Sequence, residues 1–138
     1  MILGVGVDLI EVARIRDTFN RFGDRFVRRI LHDAEIAYCL SHKDPAPFLA
    51  ARFAAKEAIS KAFGTGITSE LGWTDMEVAK RASGEPYVIL HGAGAELFKR
   101  RGAIRLHLSL SHTVNYAVAQ AVLEGAVLAH APAFPPGS

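Results

Sequence analysis

Residues 52–63 read RFAAKEAISKAF, a stretch in which Lys56, Glu57 and Lys61 stand among alanines, Ile59 and two phenylalanines. Ala54, Ala55, Ala58, Ile59 and Ala62 leave no broad polar face, so the segment has the composition of a core helix that nonetheless carries charge. Extended back to Phe48 and stopped by Gly64 and Gly66, it is the strongest helical segment of the chain. Phe53, Glu57 and Lys61 are spaced four apart, so Glu57 and Lys61 share one face. An exposed pair of that kind contributes only about 0.2–0.5 kcal/mol. A helix this apolar needs a surface to pack on, and charges within it need a purpose.

The segments around it supply the surface. ILGVGVDLI (2–10) alternates as a strand, with Leu3, Val5, Val7 and Leu9 on one face and Ile2, Gly4, Gly6 and Asp8 on the other. The bare glycines permit close approach by another backbone or a ligand, and they lead to a carboxylate. Val12, Ile15, Phe19, Phe22, Phe26 and Ile30 then follow helical spacing, interrupted by Gly23. Asp33 is placed to cap a short helix through Leu40, and SHKDPAP (41–47) reads as a loop. TDMEVAK and PYVILHG read as a hairpin joined through RASGE, followed by a short helix from Ala93 to Arg101. IRLHLSLSH (104–112) alternates Ile104, Leu106, Leu108 and Leu110 against Arg105, His107, Ser109 and Ser111, and NYAVAQAVL is its partner strand. Helices mixed with late antiparallel pairs predict an α+β fold: a mixed antiparallel sheet packed with a long helix.

The chain has 138 residues, which predicts one domain over 1–130 and a proline-rich, disordered tail over 131–138. Sixteen basic and 14 acidic side chains give a net charge of +2, too balanced for nucleic-acid binding through bulk charge. Cys39 is the only cysteine, which excludes an internal disulfide and a cysteine metal cage. No run of about 18 apolar residues and no signal-peptide layout is present. A soluble cytoplasmic protein is the expectation.

Asp8, Glu57 and Lys61 are the chemical candidates. Two carboxylates that meet in space suit Mg²⁺, which takes one or two carboxylates together with water and substrate phosphates. A lysine one turn away adds a point charge for a phosphate oxygen. Spacing does not show that Asp8 reaches Glu57.

GVGVDLIEVARI, then FAAKEAISKAFGTGI, then the G-x-P of GEPYV and finally LSLSH resemble, in order and in total length, the holo-[acyl-carrier-protein] synthases, the short class of 4′-phosphopantetheinyl transferases. The resemblance covers nearly the whole chain. It implies Asp8 and Glu57 as Mg²⁺ ligands and Lys61 as a contact to the phosphates of coenzyme A. It also implies transfer of 4′-phosphopantetheine from coenzyme A to a serine of an apo acyl carrier protein, in fatty acid biosynthesis. The serine needs a base, and Glu57 or a metal-bound water beside it is the candidate. His112 shares the phase of Leu110 and reads alone as a core or strand-end histidine. The S-H motif of the family instead puts it at the phosphates or the serine. Arg52 and Lys56, four apart on an adjacent helical face, are either two solvated charges beside an alanine surface or a coenzyme contact. Gly64 is either a helix stop or part of a phosphate- or adenine-facing loop. His32, His42, His91, His107 and His130 carry no motif and are expected in loops or on the surface.

Residues 11–30 hold six arginines against Glu11, Asp17 and Asp24. A run of this sort is ordinarily a solvated face. Carrier proteins are acidic, and the family docks them on a basic helix after its first block, which implicates Arg14 most directly and Arg21, Arg25 and Arg28 by proximity. The resemblance further implies a homotrimer with active sites between subunits, for which the glycine-lined strand face offers a smooth surface. A Mg²⁺-dependent phosphohydrolase and a carrier-binding module without turnover are the rival readings. The arginine face counts against the first, and the intact Asp8, Glu57 and Lys61 count against the second.

Overall fold

The computed structural model describes residues 1–127, so His130 and the proline-rich tail lie outside the described residues. The first strand, β1 (Ile2–Glu11), runs into α1 (Val12–Phe22), α2 (Asp24–Ile30) and α3 (Asp33–Leu40). The long central helix is α4 (Ala46–Phe63), followed by a 3₁₀ turn (Trp73–Asp75), β2 (Met76–Lys80) and β3 (Pro86–Leu90). Then come α5 (Gly92–Arg100), β4 (Ala103–His112) and β5 (Tyr116–Gly125). The strands form an antiparallel sheet in the order β1-β5-β4 and a separate β2-β3 hairpin, so the expected α+β class holds.

Gly4 and Gly6 dictate how α4 sits. A Cβ on Gly4 would lie 1.8 Å from the Ala62 carbonyl oxygen, and one on Gly6 would lie 1.9 Å from that of Ala58. Only glycine lets strand and helix backbones come this close. Ala54, Ala58 and Ala62 of α4 and Ala117, Ala119 and Ala121 of β5 are all buried, so small residues line the contact throughout. The other sides of α4 are covered as well, by α1, α3 and β2. A helix buried on nearly every side needs no polar stripe, which explains its composition.

This packing corrects one expectation. The glycine-lined face of β1 is not available to another subunit, because α4 of the same chain fills it. The open face is the apolar one, where Val5, Val7 and Leu9 are 55–65% exposed. Alternation identified two faces without showing which was covered.

The stripe over residues 12–30 also breaks differently. Gly23 adopts φ 53°, ends α1 and lets α2 start in a new direction. Val27 and Ile30 are buried in α2, whereas Phe22 is exposed. α4 begins two residues before Phe48, with Pro45 at its N-cap. Proline suits a helix start, where its missing N–H leaves nothing unsatisfied.

Candidate active site

The polarity of the β1–α4 contact places the carboxylates. Gly4 faces Ala62 and Gly6 faces Ala58, so α4 runs opposite to β1, and Asp8 falls beside the turn that holds Glu57 and Lys61. Lys61 Nζ donates to Asp8 Oδ1 at 3.2 Å and to the Val7 carbonyl at 3.0 Å. Glu57 is held above the usual carboxylate range, first by partial burial and then by the negative charge of Asp8, with Lys61 opposing both. The three residues singled out by chemistry are therefore one cluster. Lys61 is half exposed, while the Asp8 side chain is 17% exposed, so the cluster opens to solvent on the lysine side.

Two hard oxygen donors with too little positive charge between them are a fitting donor set for Mg²⁺. Burial is the larger cause of the raised Glu57, and the Asp8 charge adds to it, because like charges on neighbouring carboxylates disfavour a second ionisation.

Lys56 and Arg52 are not solvated charges. Lys56 is fully buried: its ammonium donates to Glu35 Oε1 (2.9 Å) and to the carbonyls of Ile30 (2.5 Å) and Trp73 (3.2 Å). Three donors meet three acceptors, which is what a buried ammonium requires. Burial pushes Lys56 below its ordinary value, and Glu35 opposes that shift. Glu35 in turn accepts from the backbone N–H groups of His32 (2.8 Å) and Val78 (3.0 Å). The sequence reading missed Glu35, since nothing local marks an acid on α3 as the partner of a lysine 21 residues later.

Arg52 is 3% exposed, and its guanidinium lies 4.3 Å from the centre of the Tyr38 ring. Its Nε is buried with no hydrogen-bond partner among the described residues. The other face of this group borders a pocket of about 290 Å³, which Arg52 lines with Tyr38, Phe48, Lys80, Pro86 and His112. No acidic side chain lines it. His112 lies on the α4 side of the sheet, as its phase predicts, but it is exposed rather than core. Its ring meets Phe48 edge-on at 5.1 Å, and His42 stacks on the far side of Phe48 at 3.5 Å. Cations beside an aromatic wall suit a ligand with both phosphate and a flat ring.

Arg52 and His112 thus meet in one pocket, together with Gly84 and Pro86 of the G-x-P segment. The strand register separates them from the carboxylates. Asp8 stands opposite Ala119 and Leu110, and His112 lies one pleat farther along β4, roughly 10 Å across the sheet. Both subsites border α4. Lys80 and Tyr38 are additions to the expected residues, bonded to each other at 2.7 Å. Lys80 was findable, because the hairpin register pairs it with Pro86. Gly64 forms the left-handed C-cap of α4 at φ 77°, which accounts for the glycine, and it does not line the pocket. Arg14, Arg21, Arg25 and Arg28 are all exposed on α1 and α2, and none lines the Arg52 pocket. Arg28 reaches Asp24 and Asp33 at 3.7–3.8 Å, and Arg21 lies over Phe22.

The 4′-phosphopantetheinyl transferase superfamily model matches residues 4–121. The chain belongs to that family. It is 49% identical to the holo-[acyl-carrier-protein] synthase of Koribacter versatilis (strain Ellin345) over 124 residues, 90% of this chain and 99% of that one. The crystal structure of holo-[acyl-carrier-protein] synthase from Neisseria meningitidis superposes with a TM-score of 0.84 at 34% identity, covering 90% of this chain and 99% of that one. The Helicobacter pylori enzyme in complex with coenzyme A matches with a TM-score of 0.78 at 33% identity, covering 87% and 99%.

Proposed function

We propose that this chain transfers the 4′-phosphopantetheine group of coenzyme A to a serine of an apo acyl carrier protein, giving holo carrier protein and adenosine 3′,5′-bisphosphate, in fatty acid biosynthesis. The observation that carries the proposal is the pairing on α4 of an acid-free cationic pocket with the Asp8–Glu57–Lys61 cluster. A relative of the same family takes coenzyme A in its crystal.

The parts divide the work. Arg52, Lys80 and His112 offer positive or donor groups to phosphates, and Phe48 and Tyr38 offer ring faces to the adenine. Asp8 and Glu57 would hold Mg²⁺, which supplies charge neutralisation on the pyrophosphate oxygens when bound. Lys61, within 3.2 Å of Asp8, is placed to follow charge that develops on the leaving group. The serine oxygen forms a bond to the pantetheine phosphorus as the bridging P–O bond breaks, and the serine proton passes to a base. Glu57, beside Asp8 and Lys61, is the candidate for that role. The reaction asks chiefly for positioning and electrostatics.

Arg14, Arg21, Arg25 and Arg28 form the docking face for the acidic carrier. The exposed Val5, Val7 and Leu9 are the surface through which the chain assembles, as a homotrimer on the family pattern. No described helix is long and apolar enough to cross a membrane.

The test is incubation with coenzyme A, Mg²⁺ and apo acyl carrier protein, read by mass spectrometry of the carrier. A carrier heavier by one phosphopantetheine group is expected from the wild type, and an unmodified carrier from Asp8→Asn. An unmodified carrier with the folded wild-type chain would overturn the assignment.

A further inference from the structure

His32, Glu77 and His91 converge at one point, and none of the three side chains lines the Arg52 pocket or belongs to the Asp8–Glu57–Lys61 cluster. His32 is the N-cap of α3, Glu77 belongs to β2, and His91 is the N-cap of α5. Each offers one ligand atom, and these atoms lie within 4.8 Å of one another. The imidazole rings stand 4.7 Å apart at a 36° tilt, and His91 Nε2 lies 2.8 Å from Glu77 Oε1.

The backbone holds these groups in place. Glu77 pairs with Ile89 across the hairpin, so His91, two residues beyond Ile89, projects from the same face as a diagonal neighbour. The His91 N–H donates to the Asp75 carbonyl at 2.8 Å. His32 Nε2 lies 2.7 Å from the Thr74 carbonyl oxygen. A carbonyl can only accept, so it keeps a proton on Nε2 and leaves Nδ1 as the lone-pair nitrogen. A backbone carbonyl beneath a ring N–H is the usual support of a metal-ligating histidine. The cluster is half-buried, with the His91 side chain 43% exposed and Glu77 18% exposed, which leaves an approach from solvent.

We propose that His32, Glu77 and His91 form a binding site for a late first-row divalent metal ion, with zinc as the type, separate from the Asp8–Glu57 pair. Two imidazoles and one carboxylate suit zinc and its neighbours, whereas Mg²⁺ and Ca²⁺ want oxygen donors alone. The ligand atoms of a tetrahedral ion bound at about 2.0–2.1 Å stand roughly 3.4 Å apart. Ligand atoms now up to 4.8 Å apart must close to that spacing and the His91–Glu77 pair at 2.8 Å must open to it, movements that side-chain rotation supplies. The ion takes the place of the proton that His91 and Glu77 share, and three protein ligands leave a fourth position for water. The nearby Lys56 charge is already neutralised by Glu35. Such an ion ties the start of α3 to the β2–β3 hairpin from outside, across the junction that Glu35 spans from inside through its bond to Val78.

The proposal does not depend on the transfer reaction, and its test does not read it. The full chain, in excess Mg²⁺ to occupy the carboxylate pair, is titrated with Zn²⁺, and melting temperature and binding stoichiometry are followed. Co²⁺ is used in parallel for its visible absorption. One equivalent is expected to bind and to raise Tm by roughly 5 °C at a large excess of ion over Kd. Intense tetrahedral Co²⁺ bands are expected as well. His32→Ala, His91→Ala and Glu77→Gln should each lose both signals, while Glu57→Gln keeps them. Metal binding that survives the two histidine variants, or vanishes in Glu57→Gln, would overturn the site. So would a wild type that takes up no Zn²⁺ or Co²⁺ below about 100 μM.

Discussion

Lys56 and Lys61 stand five residues apart on α4, and each faces a carboxylate about 3 Å away. Lys56 is wholly enclosed, with all three donors used inside the protein and Glu35 held by two backbone N–H groups besides. Lys61 is half exposed, and Asp8 beside it has a second carboxylate, Glu57, for a neighbour. The first arrangement is closed and satisfied. The second has more negative charge than its lysine cancels, so it is open to a further positive partner. One helix thus carries a closed pair on one face and the open cluster proposed as catalytic on another, and substitutions should separate the two cleanly.

The largest effect is expected at the closed pair. Lys56→Met leaves the Glu35 charge buried with only backbone donors, and removing one partner of a buried pair costs about 3–5 kcal/mol. The melting temperature should fall by roughly 10 °C or more, measured by thermal unfolding. Transfer per folded molecule at low temperature should be nearly unchanged. Combining it with Glu35→Leu should recover part of the loss, because the orphan charge goes too. A Lys56→Met protein that melts normally but transfers poorly would reverse the two roles.

At the open cluster the pattern inverts. Lys61→Met keeps the helix and the apolar stem, and loss of a half-exposed pair costs at most about 1 kcal/mol of stability. Turnover should fall about a hundredfold, close to 2.7 kcal/mol in the barrier. Unchanged turnover with a small loss of stability would make Lys61 a surface charge and leave α4 with only a structural pair.

A smaller effect belongs to the arginine face. Arg14 is exposed and has no ion pair among the described residues, unlike Arg16, which Asp44 holds at 2.7 Å. Arg14→Ala should raise the KM for carrier protein several-fold, leave that for coenzyme A alone, and flatten the fall in rate with salt. An unchanged carrier KM and salt response would remove Arg14 from docking.

The contrast between the two lysines also marks where sequence reasoning ends. Strand alternation, the glycine stop of α4 and the charged spacing of Glu57 and Lys61 are local patterns, and each appears in the structure as read. Chemistry singled out Asp8, Glu57 and Lys61 as candidates, but that Asp8 reaches Lys61 was not legible and comes from the close β1–α4 packing. The Lys56–Glu35 pair was illegible, since its partners come from α3 and α4 and no local rule joins them. The same holds for His32 beside His91. In β1 the period of two was right, but alternation alone did not show which face was covered, and the apolar Val5 and Val7 are in fact exposed. Backbone proximity, available only at Gly4 and Gly6, outweighed their apolar character.

The smallest predicted effect tests the open cluster by stability alone. The carboxyl of Glu57 is held above its ordinary value of 4.5, so the folded chain keeps a proton there that the unfolded chain has released. The folded state therefore binds more protons across the interval between the two values, and stability falls as pH rises through it. Above that interval the deficit is constant, and below the ordinary value it vanishes. Glu57→Gln removes the charge and with it the deficit. Melted in the presence of chelator at pH 7, the variant should be more stable than wild type by a small margin, about 1–2 °C after solvent screening. The margin should shrink to nothing as the pH is lowered past 4.5. Added Mg²⁺ should stabilise the wild type and not the variant. If instead Glu57→Gln is less stable than wild type at pH 7, then Glu57 is held like Glu35, as a satisfied structural acid, and the distinction between the two faces of α4 fails.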